Sequence, residues 1–418
     1  MRPIDTIGLG LISGTPRTLL GELSKRSDYE DLIVSGGLLL GSHELFAHPR
    51  VQYRSSFFGG LERVMKARGA NVQYVPSFFR HYGLLVQQLA PRIMMAQGSM
   101  PDANGDISLS LYNGAHLEEF RRAGRDPERV LIVEVSPHFP RTVALPGHDH
   151  TLSLDDVDVV VVTDEVPTSM AEEATTSNDL AIATIAANYV REGATLQTGI
   201  GAVPSLVAEE LARRDGGDYG VHSEMFTDGL FALTRAGKVT NLRKGLHPGR
   251  SVTTFAFGSR DLYDFLHEND QVGFAPVTYV NDPSVIAANH AVVSINSALE
   301  VDLLGQMIAD TIGPRQYSGV GGHTDFVEGA SLRLEHTSLI CLQSTAVVNG
   351  VRKSRIIGSM TPHSVVTSPR HLAGVIVTEF GSADLRGRSV VERAEALIAI
   401  AHPEFRDELR SAAALLGA

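Results

Sequence analysis

"LQTGIGAVPSLVAEEL" (196–211) compresses a strand, a Gly-x-Gly turn and a helix into sixteen residues. Glycines at 199 and 201 let the main chain approach a ligand, and the helix start that follows offers unpaired N–H groups to an anion or oxyanion. A dinucleotide-binding turn is the obvious competitor, but the third glycine of G-x-G-x-x-G is missing. A tight βα turn without a ligand would read the same way. The stretch therefore decides the fold class rather than the function.

The same strand–helix grammar recurs on both sides of it. "DTIGLGLI", "DLIVSGG", "RIMMAQGS", "RVLIVEVS" and "VDVVVVTDE" read as buried strands, separated by helical stretches such as "PRTLLGELSKRS", "FFGGLERVMKARG" and "GAHLEEFRRAG". Downstream, "VTTFAFG", "AVVSIN", "SLICLQ", "SRIIGS" and "AGVIVTE" read as strands, and "VVERAEALIAIA" as the closing helix. Alternation of this kind predicts mostly parallel sheets covered by helices. The polar, aperiodic run 164–180 reads as a boundary. The expected architecture is thus two open α/β/α domains, residues 1–175 and 176–418, with the active site in the cleft between them.

A chain of 418 residues exceeds one small core, and 43% hydrophobic with 20% charged residues is an ordinary globular balance. A net charge of −12 without a basic stripe argues against nucleic acid. The lone Cys341, within an apolar run, predicts a buried thiol and a reducing, cytoplasmic setting. Neither a leader nor a membrane-spanning run is expected.

Several stretches could carry chemistry. In "GVHSEMFTDG" (220–229), Glu224 sits where Ser223 and Asp228 suggest the first turn of a helix, with a dipole-facing carboxylate. "QYSGVGGHTDF" (316–326) holds three glycines in four positions, a costly backbone unless a ligand or another segment needs the room. "GHDH" (147–150) lacks metal-ligand spacing and reads as a surface loop, so no metal is expected. Arg243, Lys244 and Arg250 could reach an anion or simply face solvent.

Together these stretches resemble the acetyl-CoA hydrolase/transferase family, and within it the class I 4-hydroxybutyrate, butyrate and acetate CoA-transferases. The resemblance is carried by "GATLQTGIGAVP", "VHSEMFTDGL", "YVNDPSVIAANHAVVSINSALEVDLLGQ", "YSGVGGHTDF" and "VTEFGSADLRGRSVVERAEALIAIAHPEFR". Weaker matches in the first half are "GTPRTLL", "QGSMPDANGDISL" and "VEVSPHFPRT". It implies that Glu224 is a covalent nucleophile, forming a glutamyl-CoA thioester in ping-pong transfer between an acyl-CoA and a short-chain carboxylate. It assigns CoA contacts to Gly199, Ile200, Gly201, Ala202, Val203, Leu299, Gly321 and Gly322, with the amides of Val203 and Gly322 as oxyanion donors. CoA is then substrate, no cofactor is permanently bound, and a homodimer is implied. An ordinary glutamate, with a pKa of roughly 4.3, would be ionised without a general base. His222 is left between acyl pocket and packing, and Asp228-Gly229 is expected to form the turn after the nucleophile. Three departures stand out. The N-terminal helix usual in relatives is short or absent, and Met100 and Gly273 differ at positions expected to shape the acyl pocket. A hydrolase on the same scaffold, and a CoA-binding protein without turnover, are the alternative readings.

Overall fold

The computed structural model describes residues 1–41, 43–171 and 174–417. Two open sheets organise it. The first runs, edge to edge, through Val159–Val162, Val130–Ser136, Ile93–Ser99, Ile4–Leu9, Asp31–Gly36, Val51–Ser55 and Asn71–Tyr74, every pairing parallel. The second runs through Gly220–Val221, Thr195–Thr198, Val292–Ser297, Thr337–Cys341, Val375–Thr378 and Gly381–Asp384, with only the last pair antiparallel. The expected α/β class, with mostly parallel sheets in two units, is what the chain adopts.

Strand order makes each sheet a site-builder. In the first, Ile4–Leu9 has its successor in sequence on one side and a later strand, Ile93–Ser99, on the other. Thr195–Thr198 is flanked in the same way by Gly220–Val221 and Val292–Ser297. Such reversals of order open a crevice beyond the carboxyl ends of the strands.

Side chains follow from burial. Central strands such as Ile93–Ser99 are buried along their whole length, as a parallel strand covered on both faces must be. The helix Ser177–Ala187 starts on a capping box in which Thr176 and Asp179 each satisfy the other's backbone N–H. It begins inside the polar run 164–180, of which Glu172 and Glu173 lie outside the described residues.

Other expectations need correction. "VTTFAFG" and "SRIIGS" supply short strands to small satellite sheets, not to the main ones. The chain closes on a further helix, Arg406–Leu415, beyond Val390–Ile400. In "GHDH", His150 is a core residue whose Nε2 contacts Thr142 Oγ1 at 2.6 Å and Ser110 O at 2.9 Å. Cys341 is buried as expected, and burial pushes its thiol up to about 12. Among the described residues no helix is long and apolar enough to cross a membrane.

Candidate active site

A cavity of about 280 Å³ opens where the carboxyl ends of both sheets meet. Leu11 and Ile12 reach it from beyond Ile4–Leu9, Leu38 from beyond Asp31–Gly36, and Ser56 and Phe57 from beyond Val51–Ser55. The second half contributes Thr198–Ile200, Ser297, Gly319–His323 and Glu224.

Glu224 does not open a helix. It stands between the strands Gly220–Val221 and Met225–Phe226, and the next helix begins only at Asp228. Its position is fixed by its own backbone: the Glu224 carbonyl accepts from Thr254 N (3.1 Å), Phe255 N (3.2 Å) and Thr253 Oγ1 (3.0 Å). Asp228 makes no turn after it. Asp228 is the first residue of the helix Asp228–Arg235, and its carboxylate accepts from Ser259 N and, at 2.6 Å, from Ser259 Oγ.

The Glu224 side chain faces the cavity, and three features surround it. Asn281 Nδ2 donates to Oε2 at 2.6 Å and also to Asp325 Oδ2 at 3.0 Å. Asp325 is fully buried and ion-paired with Arg80, which reaches Glu328 as well (3.0 Å). Behind Oε2 lies Gly322, the N-cap of the helix His323–Ser331, where an added Cβ would overlap the carboxylate. The positive end of that helix faces the negative group.

Burial dominates the electrostatics. It pushes the Glu224 carboxyl up to about 8, with Asn281 pulling it back and the Asp325 charge raising it further. The residue keeps partial exposure to the cavity, so water there tempers the effect until a ligand displaces it. The expectation of an ordinary, fully ionised glutamate is therefore corrected. His323 lines the cavity but is held near 4 by burial, so it brings no positive charge at neutral pH.

The two glycine loops differ. At Gly199 an added Cβ would meet nothing within 4 Å, which leaves room over the cavity. Gly201, with φ +122°, adopts a backbone that L-residues rarely take and caps the helix Ala202–Arg213. In the second loop Gly319 packs against the other half, where a Cβ would stand 2.8 Å from Phe57 Cα.

Of the residues singled out from sequence, Glu224, Gly199, Ile200, Gly321 and Gly322 meet at this cavity. Gly201, Ala202 and Val203 form the helix start just behind it, and Leu299 is half-buried outside its lining. His222 packs instead of lining the pocket; its Nε2 contacts Val280 O at 2.8 Å. Gly273 lies in a satellite sheet beneath Leu145, and Met100 is exposed, so neither shapes the cavity. Arg243 pairs with Asp218 and Glu192, and Arg250 with Asp270. Lys244 turns inward to Val221 O and Arg250 O, at 2.8 and 2.7 Å.

Sequence reasoning missed Asn281, Asp325 and Arg80. Asn281 stands just before Asp282, which caps Pro283–Ala287, and nothing local in "NDPS" marks its amide as a partner of a distant carboxylate. It also missed the apolar wall. Ile12 and Leu38 both hold positive φ, +54° and +50°, while facing the cavity. For aliphatic side chains that conformation costs on the order of 1–3 kcal/mol each and clusters at ligand sites.

A carboxylate set between two glycine loops, at the facing carboxyl ends of two α/β sheets, is the arrangement of a CoA-transferase-type enzyme. The chain belongs to the acetyl-CoA hydrolase/transferase family. Residues 258–413 match the model of the acetyl-CoA hydrolase/transferase C-terminal domain. The chain is 35% identical to the 4-hydroxybutyrate coenzyme A transferase of Clostridium kluyveri over 402 residues, covering 95% of this chain and 90% of that protein. It is 42% identical to a probable butyrate:acetyl-CoA coenzyme A-transferase of Syntrophomonas wolfei, covering 81% and 75%. Among solved structures, RipA from Yersinia pestis superposes with a TM-score of 0.87 at 34% identity, covering 99% of this chain and 94% of that one.

Proposed function

We propose that the chain moves CoA between an acyl-CoA and a short-chain carboxylate by ping-pong chemistry through a glutamyl-CoA thioester on Glu224. The observation that carries this reading is the Glu224 carboxylate itself, facing the cavity that Gly199 also lines, hydrogen-bonded by Asn281 and backed by Gly322.

Each step balances. The Glu224 oxygen attacks the thioester carbonyl, the C–S bond breaks, and CoA leaves as thiolate from a mixed anhydride. The thiolate then attacks the glutamyl carbonyl, the anhydride C–O bond breaks, and the first acid departs. An incoming carboxylate reverses both steps and leaves as a new acyl-CoA. A raised carboxyl pKa makes Glu224 a stronger base and nucleophile once ionised, at the cost of a smaller ionised fraction at neutral pH. In the oxyanion role we place the Gly322 amide, beside Glu224, and the Val203 amide in the first turn of its helix, where no intrahelical carbonyl is available. Gly199, Ile200, Gly201, Ala202 and Gly321 would face CoA near its thioester, with Leu299 touching the longer body of CoA outside the cavity.

The acid bound has an uncharged tail. Leu11, Ile12, Met225 and Phe255 form one apolar cluster, with Leu38 and Phe79 packed against it, and no Lys or Arg occurs among the described lining residues. A second carboxylate there would lie unpaired in an apolar wall.

Incubation with butyryl-CoA should leave a CoA adduct on the Glu224 peptide, visible by mass spectrometry. Thiol release should depend on an added carboxylate, and Glu224→Ala should lose both signals, with turnover falling at least about 10³-fold. Release indifferent to the acceptor would make the enzyme a hydrolase. Absence of the adduct, with activity kept in Glu224→Ala, would overturn the assignment.

A further inference from the structure

The hydrogen bonds behind Glu224 cross from one half of the molecule to the other. Arg80, in the short 3-10 turn Phe79–His81 of the first half, is ion-paired with Asp325 in the helix His323–Ser331 of the second. Asp325 accepts from Asn281 Nδ2, and that same nitrogen donates to Glu224. Both protons of one amide nitrogen are thus spent on two carboxylates. The other end of the amide, Asn281 Oδ1, is buried and has no hydrogen-bond partner among the described residues.

An asparagine side chain has nearly the same shape in its two flipped orientations, so its partners decide which end faces which group. With Nδ2 toward Glu224 the amide supports an anion. With Oδ1 there it would repel one. The acceptor on the far side is a carboxylate with no solvent exposure, which burial pushes toward the neutral form. A protonated Asp325 could donate to Oδ1 and so favour the flipped amide. The guanidinium of Arg80 opposes this. It is mostly buried, 15% exposed, and also lies over the Phe78 ring at 4.5 Å.

Other charged or titratable groups around this chain do not replace it. His222 is neutral, held near 3 by burial, and His323 near 4. Asp282, beside Asn281, is committed to capping Pro283–Ala287. Glu328 shares Arg80, Asp310 acts on His323, and the buried Tyr112 hydroxyl bonds to His116 Nδ1 at 2.8 Å.

We propose that the Arg80–Asp325 ion pair is a positioning unit for the nucleophile, fixing the Asn281 amide with its nitrogen toward Glu224 so that a residue of the first half aligns the attacking oxygen. The inference rests on Glu224 being the nucleophile. Arg80 itself acts through Asp325 and Asn281 and is absent from the cavity lining.

The test uses Arg80→Met, with Arg80→Gln as a second neutral variant and Arg80→Lys as the conservative one. Folded protein is verified by thermal melting. The single-turnover rate of CoA-adduct formation on the Glu224 peptide should fall about 10- to 100-fold in the neutral variants, with KM for acyl-CoA moving no more than about threefold. The alkaline-rising limb of kcat/KM should shift to higher pH, because the Asn281 bond outweighs the Asp325 charge among the influences on Glu224. Arg80→Lys should restore most of that shift. Combined with Asn281→Ala, Arg80→Met should cost nothing further. Additive losses, or adduct formation in Arg80→Met at the wild-type rate and pH dependence, overturn the proposal while leaving Glu224 as nucleophile. If wild-type protein forms no adduct, the parent reading falls with it.

Discussion

Glu224 combines two properties that pull against each other. As the proposed nucleophile it must be anionic to attack, yet its surroundings favour the protonated acid, and its ordinary value of 4.5 is raised to about 8. One consequence is kinetic: kcat/KM for acyl-CoA should climb with pH and level off above about 8, in a pH–rate profile. The other is thermodynamic. A carboxyl whose folded pKa lies above its unfolded value contributes stability in full below the unfolded value and loses it as pH rises through the folded one. Glu224→Gln, which keeps the shape and removes the charge, should therefore melt above wild type. The gap should widen from pH 4.5 to about 8 and then hold constant. A gap that is constant from acid to alkali would show that Glu224 titrates like a surface residue. None of this was legible in "GVHSEMFTDG", where the neighbours are small and polar. The burial comes from Asn281 and the glycine loop, 57 and 98 residues further on.

Among elements, the two glycine loops make opposite demands, and their substitutions should separate. Gly322→Ala puts a methyl into the Glu224 carboxylate, so turnover should drop at least about 10²-fold. Gly199→Ala meets no protein atom, so its melting temperature should match wild type while KM for acyl-CoA rises. If Gly199→Ala leaves KM unchanged, the open space there is not ligand space. Here the sequence was informative: glycine runs flagged both loops, because a dense glycine pattern is expensive to order. Edge elements were harder to read. "NVQY" forms the edge strand and "VQYRS" the strand beside it, although polar residues interrupt both, since only one face of each is well covered. The final helix "RDELRSAAAL" was hidden behind His402-Pro403, which reads as a stop but lies in a separate short turn. Strand order itself is written in long-range pairing, such as Ile7 beside Ile93, and leaves no local trace.

For the whole molecule, the cavity belongs to neither sheet alone, and on the proposed reading its wall should set the choice of acid. Butyryl-CoA should be preferred to succinyl-CoA by at least about 10²-fold in kcat/KM, because the dicarboxylate tail would bury an unpaired charge. Leu38→Lys should narrow that ratio, and equal use of both donors by wild type would contradict the apolar wall. The close packing of Gly319 on Phe57, the hydrogen bond from Arg63 to the Tyr317 carbonyl, and the Arg80–Asp325 pair all join the two halves around Glu224. Each sheet also has apolar clusters largely of its own. Heat should therefore loosen the contacts around Glu224 before either sheet unfolds. Activity should be lost several degrees before circular dichroism records melting, and be recovered on cooling from that interval. The enzyme would then report the alignment of its halves more sensitively than its own unfolding does.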